Sequence, residues 1–156
     1  MGDFKLMNTF SGKGTSNAQN NKNVGEKVCV KLTEPYFDSE RKRSLTADNF
    51  FSSISLANNL IKKNISFVGT LRKNKKEIPS CFLPNRKRTV FSSIFGFNKE
   101  TTLVSYVPKL NKSVILLSTE HHNKKLSDID SKPEIIEFYN STKVILILFY
   151  FPFFLF

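Results

Sequence analysis

Ser44-Leu45-Thr46-Ala47-Asp48-Asn49-Phe50-Phe51-Ser52-Ser53 is the stretch on which the reading of this chain turns. Leu45 and Ala47 alternate with Ser44, Thr46 and Asp48, the period-two pattern of a short strand with one buried face. Ser52 and Ser53 then offer side-chain oxygens to the orphan amides of a following helix. That helix is expected to run to about Lys63, with Ile54, Ala57 and Ile61 on one stripe and Leu56 and Leu60 beside it. Asp48 thereby falls at the carboxyl end of a strand, where α/β folds gather their chemistry. The pattern alone leaves a second reading open, in which Asp48 only starts the turn before the helix.

Upstream of this stretch, residues 1–23 are polar and loop-like. Gly12-Lys13-Gly14-Thr15 lacks the spacing of a phosphate-binding loop and has no apolar strand feeding it. Val24 to Leu32 predicts a short helix with Val28 and Leu32 on one face, closed by Pro35, with a β-strand as the alternative. Arg41-Lys42-Arg43 reads as a solvated loop, a phosphate contact or a nuclear-import signal.

Downstream, Ile65 to Leu71 alternates like a half-buried strand and runs straight into Arg72-Lys73-Asn74-Lys75-Lys76. A further basic run, Arg86-Lys87-Arg88, precedes the strand-like Thr89-Val90-Phe91. Phe82, Phe91, Phe95 and Phe97 are expected in the core, whereas the charges between them suit phosphate contact. Thr101 to Tyr106 and Val114 to Thr119 predict a hairpin across Pro108 to Lys112. His121 and His122 are adjacent, so they face opposite ways on a strand, and no acid or cysteine stands at ligand spacing. Lys124 to Lys132 is a charged linker, after which Pro133 opens a short helix or strand over 134–139. Val144 to Phe156 carries no charge at all.

Composition bounds the function. The chain has 156 residues, one domain or part of one, with 24 Lys and Arg against 13 Asp and Glu, a net charge of +11. That excess favours a polyanionic partner, nucleic acid or an anionic membrane surface. Cys29 and Cys81 have neither disulfide-framework nor zinc spacing, which fits a reducing compartment. Met1 to Phe10 has no apolar core of the signal-peptide kind.

Four blocks, in order, resemble piggyBac-type transposases. They are Thr46 to Ser53 with Leu56-Ala57, Phe67 to Pro79, Thr102 to Lys109, and Lys132 to Lys143, and the likeness spans about Gly12 to Lys143. The resemblance implies an α/β fold, a partial RNase H-like (DDE transposase) core with a β-rich insertion over about 80–125, incomplete at both ends. It makes residues 1–143 a partial catalytic domain and 144–156 a hydrophobic tail outside the family pattern. Asp48 maps to the second of three catalytic, metal-holding aspartates, and the implied cofactor is Mg2+. In-line cleavage of DNA needs two such ions about 3.5–4 Å apart, held by converging carboxylates. The block Asn140-Ser141-Thr142-Lys143 continues in the family into Gly-Gly-Val-Asp, and this chain leaves that pattern at Val144. Asp3 lies too close to Gly12 for the first aspartate, and Glu34, Asp38, Glu40, Asp128 and Asp130 match no family ligand.

The expectation is a truncated transposase, without strand-transfer activity by itself, that binds DNA through Arg41, Lys42, Arg43, Arg72, Lys73, Lys75, Lys76, Arg86, Lys87 and Arg88. Its implied partners are DNA and a full-length transposase subunit, and its implied location is the nucleus. The competing reading is a small membrane-associated protein anchored by 144–156. As a helix that tail spans about 20 Å, against a hydrocarbon core of about 30 Å, and Pro152 interrupts it.

Overall fold

The computed structural model describes residues 4–5, 24–37 and 43–150. Strands β1 (Phe4–Lys5), β2 (Arg43–Ala47), β3 (Ile65–Thr70), β4 (Ser93–Phe97), β5 (Thr102–Lys109) and β6 (Lys112–Ser118) form one mixed sheet in the order β1-β4-β5-β6-β3-β2. Helices α1 (Val24–Thr33) and α2 (Ile54–Ile61) cover one face, and α3 (Glu134–Tyr150) covers the other.

Sheet period two sorts the core. Phe67, Ile115, Leu117 and Leu103 point to the α1/α2 side, where they meet Cys29, Leu56, Ala57 and Leu60. Val68, Leu116, Val104 and Tyr106 point to the α3 side, against Ile135 and Ile136. β3 is therefore buried along both faces rather than half-buried as its alternation suggests. A strand in the middle of a sheet, with helices above and below, has no solvent face.

The Asp48 stretch folds as its local pattern predicts. β2 ends at Ala47, and Ser53 caps α2 by accepting the Leu56 amide at 2.9 Å. The helix stops at Ile61, two residues short of the expected end. Thr46, read as solvent-facing, is buried because α3 crosses that side of β2; its hydroxyl donates to Thr142 at 2.8 Å, and Thr142 donates to the Phe138 carbonyl at 2.7 Å.

Other expectations need correction. The buried face of α1 is Gly25, Glu26, Cys29 and Thr33, whereas Leu32 is exposed. The reason is the close approach of α1 to the Phe50–Phe51 backbone, which only Gly25 allows; a Cβ there would sit 2.6 Å from the Phe50 carbonyl oxygen. Thr89 to Phe91 form a turn, and β4 begins only at Ser93. Phe82 and Phe95 are core as expected, but Phe91 is exposed. The hairpin of β5 and β6 belongs to the main sheet, since β6 pairs antiparallel with β3. The segment after Pro133 is a helix of 17 residues that runs past Lys143.

The candidate cleft at the Asp48 turn

Strand direction sets where chemistry gathers. β2 and β3 run parallel with Ala47 opposite Gly69, so Asp48 and the chain after Thr70 leave the sheet at the same end. β6 runs the other way and starts at that end, which brings Ser113, Val114 and Ile115 alongside. The result is an open cleft of about 390 Å³ lined by Asp48, Asn49, Thr70, Leu71, Lys73, Ser113, Val114, Ile115 and Tyr139.

Asp48 is held by its own turn. One carboxylate oxygen accepts the Phe50 amide at 2.9 Å, the Asx arrangement that also serves the turn reading. The Asp48 carbonyl accepts the Ser52 amide at 3.0 Å and the Ser52 hydroxyl at 2.6 Å. Ser52 is fully buried, so the turn is fastened from beneath. Arg72 lies over the Phe50 ring at 5.6 Å and ties the basic run to the same turn.

A second carboxylate stands behind this turn, and the sequence reading missed it. Glu26 is 5% exposed and accepts hydrogen bonds from Ser53 Oγ at 3.0 Å and Ser55 Oγ at 2.9 Å, at the amino end of α2. There the helix dipole and the free amides favour a negative charge. Nothing local in Gly25-Glu26-Lys27 signals this, because the partners are 27 and 29 residues away.

Cys29 senses both acids. Burial, then the Asp48 charge, then the Glu26 charge push its thiol up from 9.0 to about 11. In the folded protein the thiol should therefore resist alkylation at about pH 8 and become reactive only as pH approaches 11. The sign for stability follows. The raised folded value contributes below pH 9.0, and that contribution is lost as pH rises through about 11. Mass-spectrometric mapping of alkylation against pH checks this. Equal labelling of both cysteines in the native protein at about pH 8 would refute it.

The basic residues divide. Arg43, Arg72, Lys73, Lys76, Arg86 and Lys87 are exposed, and Lys75 is half-buried. Arg88 is not available for phosphate contact. It is 7% exposed, and its guanidinium donates to Ser105 Oγ at 2.6 Å, to the Ser105 carbonyl at 2.9 Å and to the Ser92 carbonyl at 3.2 Å. Alternation within a basic run is invisible to composition, and the strand beneath decides which guanidinium turns inward. Arg41, Lys42, Asp3, Asp38, Glu40 and Gly12 to Thr15 lie outside the described residues.

A pair of divalent ions does not fit the described donors. Among the described residues the cleft has one carboxylate, Asp48, and the Lys73 ammonium lines it as well. No group of three His, Cys, Asp or Glu suited to a metal ion occurs among the described residues. His121 bonds Ser118 at 2.9 Å and packs edge-on to Phe138; burial holds its ring below the usual histidine value. No described helix is long and apolar enough to cross a membrane.

Comparison with known proteins follows the same lines. Residues 6–145 match the family model described as Transposase IS4. The fold is similar to that of the piggyBac transposase in a cryo-EM synaptic complex with hairpin DNA, at 40% identity and a TM-score of 0.72. That likeness covers 85% of this chain and 27% of the other, so the chain spans about a quarter of the transposase it matches. No curated protein matches.

Proposed function

Since this chain belongs to the Transposase IS4 family and is of the piggyBac-like kind, we propose that it binds DNA through its exposed basic residues and does not by itself cut or join strands. The observation that carries this reading is the composition of the cleft: among the described residues one carboxylate, Asp48, beside a lysine, at the sheet end from which Arg72 to Lys76 emerge. We assign residues 1–143 to a partial catalytic domain, in which 80–125 adds strands β4, β5 and β6 to the main sheet, and 144–156 to a segment outside it.

Asp48 takes the position of one catalytic aspartate of the family, and Mg2+ is the ion that such a group would help to hold. When bound, a pair of these ions supplies charge stabilisation for phosphoryl transfer. What this chain contributes is different in kind. The Ser52 and Phe50 bonds fix the Asp48 turn, and Arg72, Lys73, Lys75 and Lys76 offer positive charge to a phosphate backbone beside it. Arg43, Arg86 and Lys87 extend that charge, and Arg41 and Lys42 belong to the same proposal. DNA is the partner, a longer family member is the subunit with which this chain would associate, and the nucleus is the compartment where both are met.

Anisotropy with a labelled duplex tests the binding. With about six phosphate contacts, affinity should fall roughly a thousandfold between about 50 and 200 mM salt. Absent or salt-independent binding would end the DNA reading. The same samples, given magnesium or manganese, should leave a supercoiled plasmid intact, and calorimetry should detect no tight pair of ions. Nicking, or tight two-ion binding, that vanishes in Asp48→Ala would overturn the inactive assignment.

A further inference from the structure

The buried Arg88 organises a loop that turns two cations and an aromatic residue outward. Backbone bonds close two successive turns, Arg88 N to Asn85 O at 3.0 Å and Ser92 N to Thr89 O at 3.2 Å. The guanidinium reaches from the first turn to Ser92 and into β5 at Ser105. Phe91 N to Val107 O at 2.7 Å and Val107 N to Ser92 O at 3.1 Å fasten the second turn to the same strand. The loop is thus rigid, and it presents Arg86 and Lys87 on one turn and Val90 and Phe91 on the next.

Phe91 is the anomaly. Its φ is 65°, a left-handed conformation that glycine adopts freely and a bulky L residue rarely does. The residue is 48% exposed, so packing accounts for only part of its surface. Its aromatic neighbour is Tyr106, stacked at 6.5 Å and 22°. Strain retained at an exposed aromatic, on the turn next to two exposed cations, points to a ligand.

The register places this loop relative to Asp48. Ser93 pairs with Tyr106, and Tyr106 with Val114. Thr70 pairs with Leu116 in the antiparallel sense, which sets Arg72 level with Val114; Ala47 opposite Gly69 in the parallel sense sets Phe50 level with Arg72. The loop before β4 and the turn after β2 therefore stand at one end of the sheet, four strands apart, about 19 Å at about 4.8 Å per strand. Lys73, Lys109 and Lys112 are exposed between them.

The geometry points to a nucleotide-capture loop: Phe91 stacks on an unpaired base of single-stranded DNA whose phosphates lie on Arg86 and Lys87, about 19 Å from the Asp48 cleft. The inference rests on the DNA reading above and deepens it by naming the form of DNA. A base inside a duplex has no free face for the ring, so the strand must be unpaired.

The test compares labelled oligothymidylate with a labelled duplex of equal length. Phe91→Ala and Phe91→Gly should each weaken the single strand about tenfold and leave the duplex within about twofold, while Phe91→Trp keeps both. Phe91→Gly should also unfold at higher urea than the parent protein, since glycine removes the strain at φ 65°. Binding and stability then move in opposite directions, which a packing role would not produce. Unchanged single-strand affinity in Phe91→Gly, or equal losses on both DNAs, overturns this inference and leaves the general DNA reading standing. Failure of the parent protein to bind either DNA removes both.

Discussion

Gly69→Ala should destabilise the protein by about 3 kcal/mol or more, near the top of the range for overpacked cores. The added Cβ would meet three things at once: Ser52 Oγ, the Phe67 ring at 2.6 Å and the Ala47 carbonyl oxygen at 2.8 Å. None can withdraw cheaply. Ala47 is the register partner of Gly69, so its carbonyl moves only if β2 moves. Phe67 is fully buried between α2 and the sheet. Ser52 holds the carbonyls of Ala47 and Asp48, at 3.2 and 2.6 Å. Whatever yields, the Asp48 turn is displaced with it. Urea unfolding followed by circular dichroism is the measurement, and a midpoint equal to that of the parent protein would show that the close approach has no energetic consequence.

Glu26→Ala should cost about 3 kcal/mol, with Glu26→Gln costing about 1. The carboxylate accepts two serine hydroxyls in a largely buried site, and hydrogen bonds to a charged group count for about 1.5–3 kcal/mol. The amino end of α2 adds a smaller favourable term for the charge. Against these stands the cost of burying a carboxylate, which the two hydroxyls and the helix end offset. Glutamine keeps an acceptor but loses the charge, so the gap between the two variants measures how much the charge contributes. A result within about 0.5 kcal/mol of the parent for Glu26→Ala would mean that the serines find water instead. The Cys29 thiol provides an independent check: removing the Glu26 charge should lower its value from about 11.

Both substitutions act on the Asp48 turn from outside it. Gly25 and Glu26 brace it through α1, and Gly69 lies under it in β3. A site that depends on one short stretch in the sequence is thus held by three elements in space.

Much of this was readable from the chain. The strand before Asp48, the serine cap and the apolar stripe of α2 are local patterns, fixed by residues within a turn or two of one another, and these elements formed where the pattern put them. The four blocks that resemble piggyBac-type transposases carried the family, and the hairpin of β5 and β6 followed from two β-rich runs around a turn. These features survive because their determinants are neighbours in sequence.

What the tertiary structure alone decided is which polar groups are buried. Arg88 looks like Arg86 and Lys87 until Ser105, 17 residues on, draws its guanidinium into the sheet. Glu26 looks like any helix surface acid until α2 sets two serines against it. Local periodicity reports which way a side chain faces on its own element, but the burial of a charge depends on what packs across from it. That partner comes from chain pairing at long range, which the one-dimensional pattern does not contain.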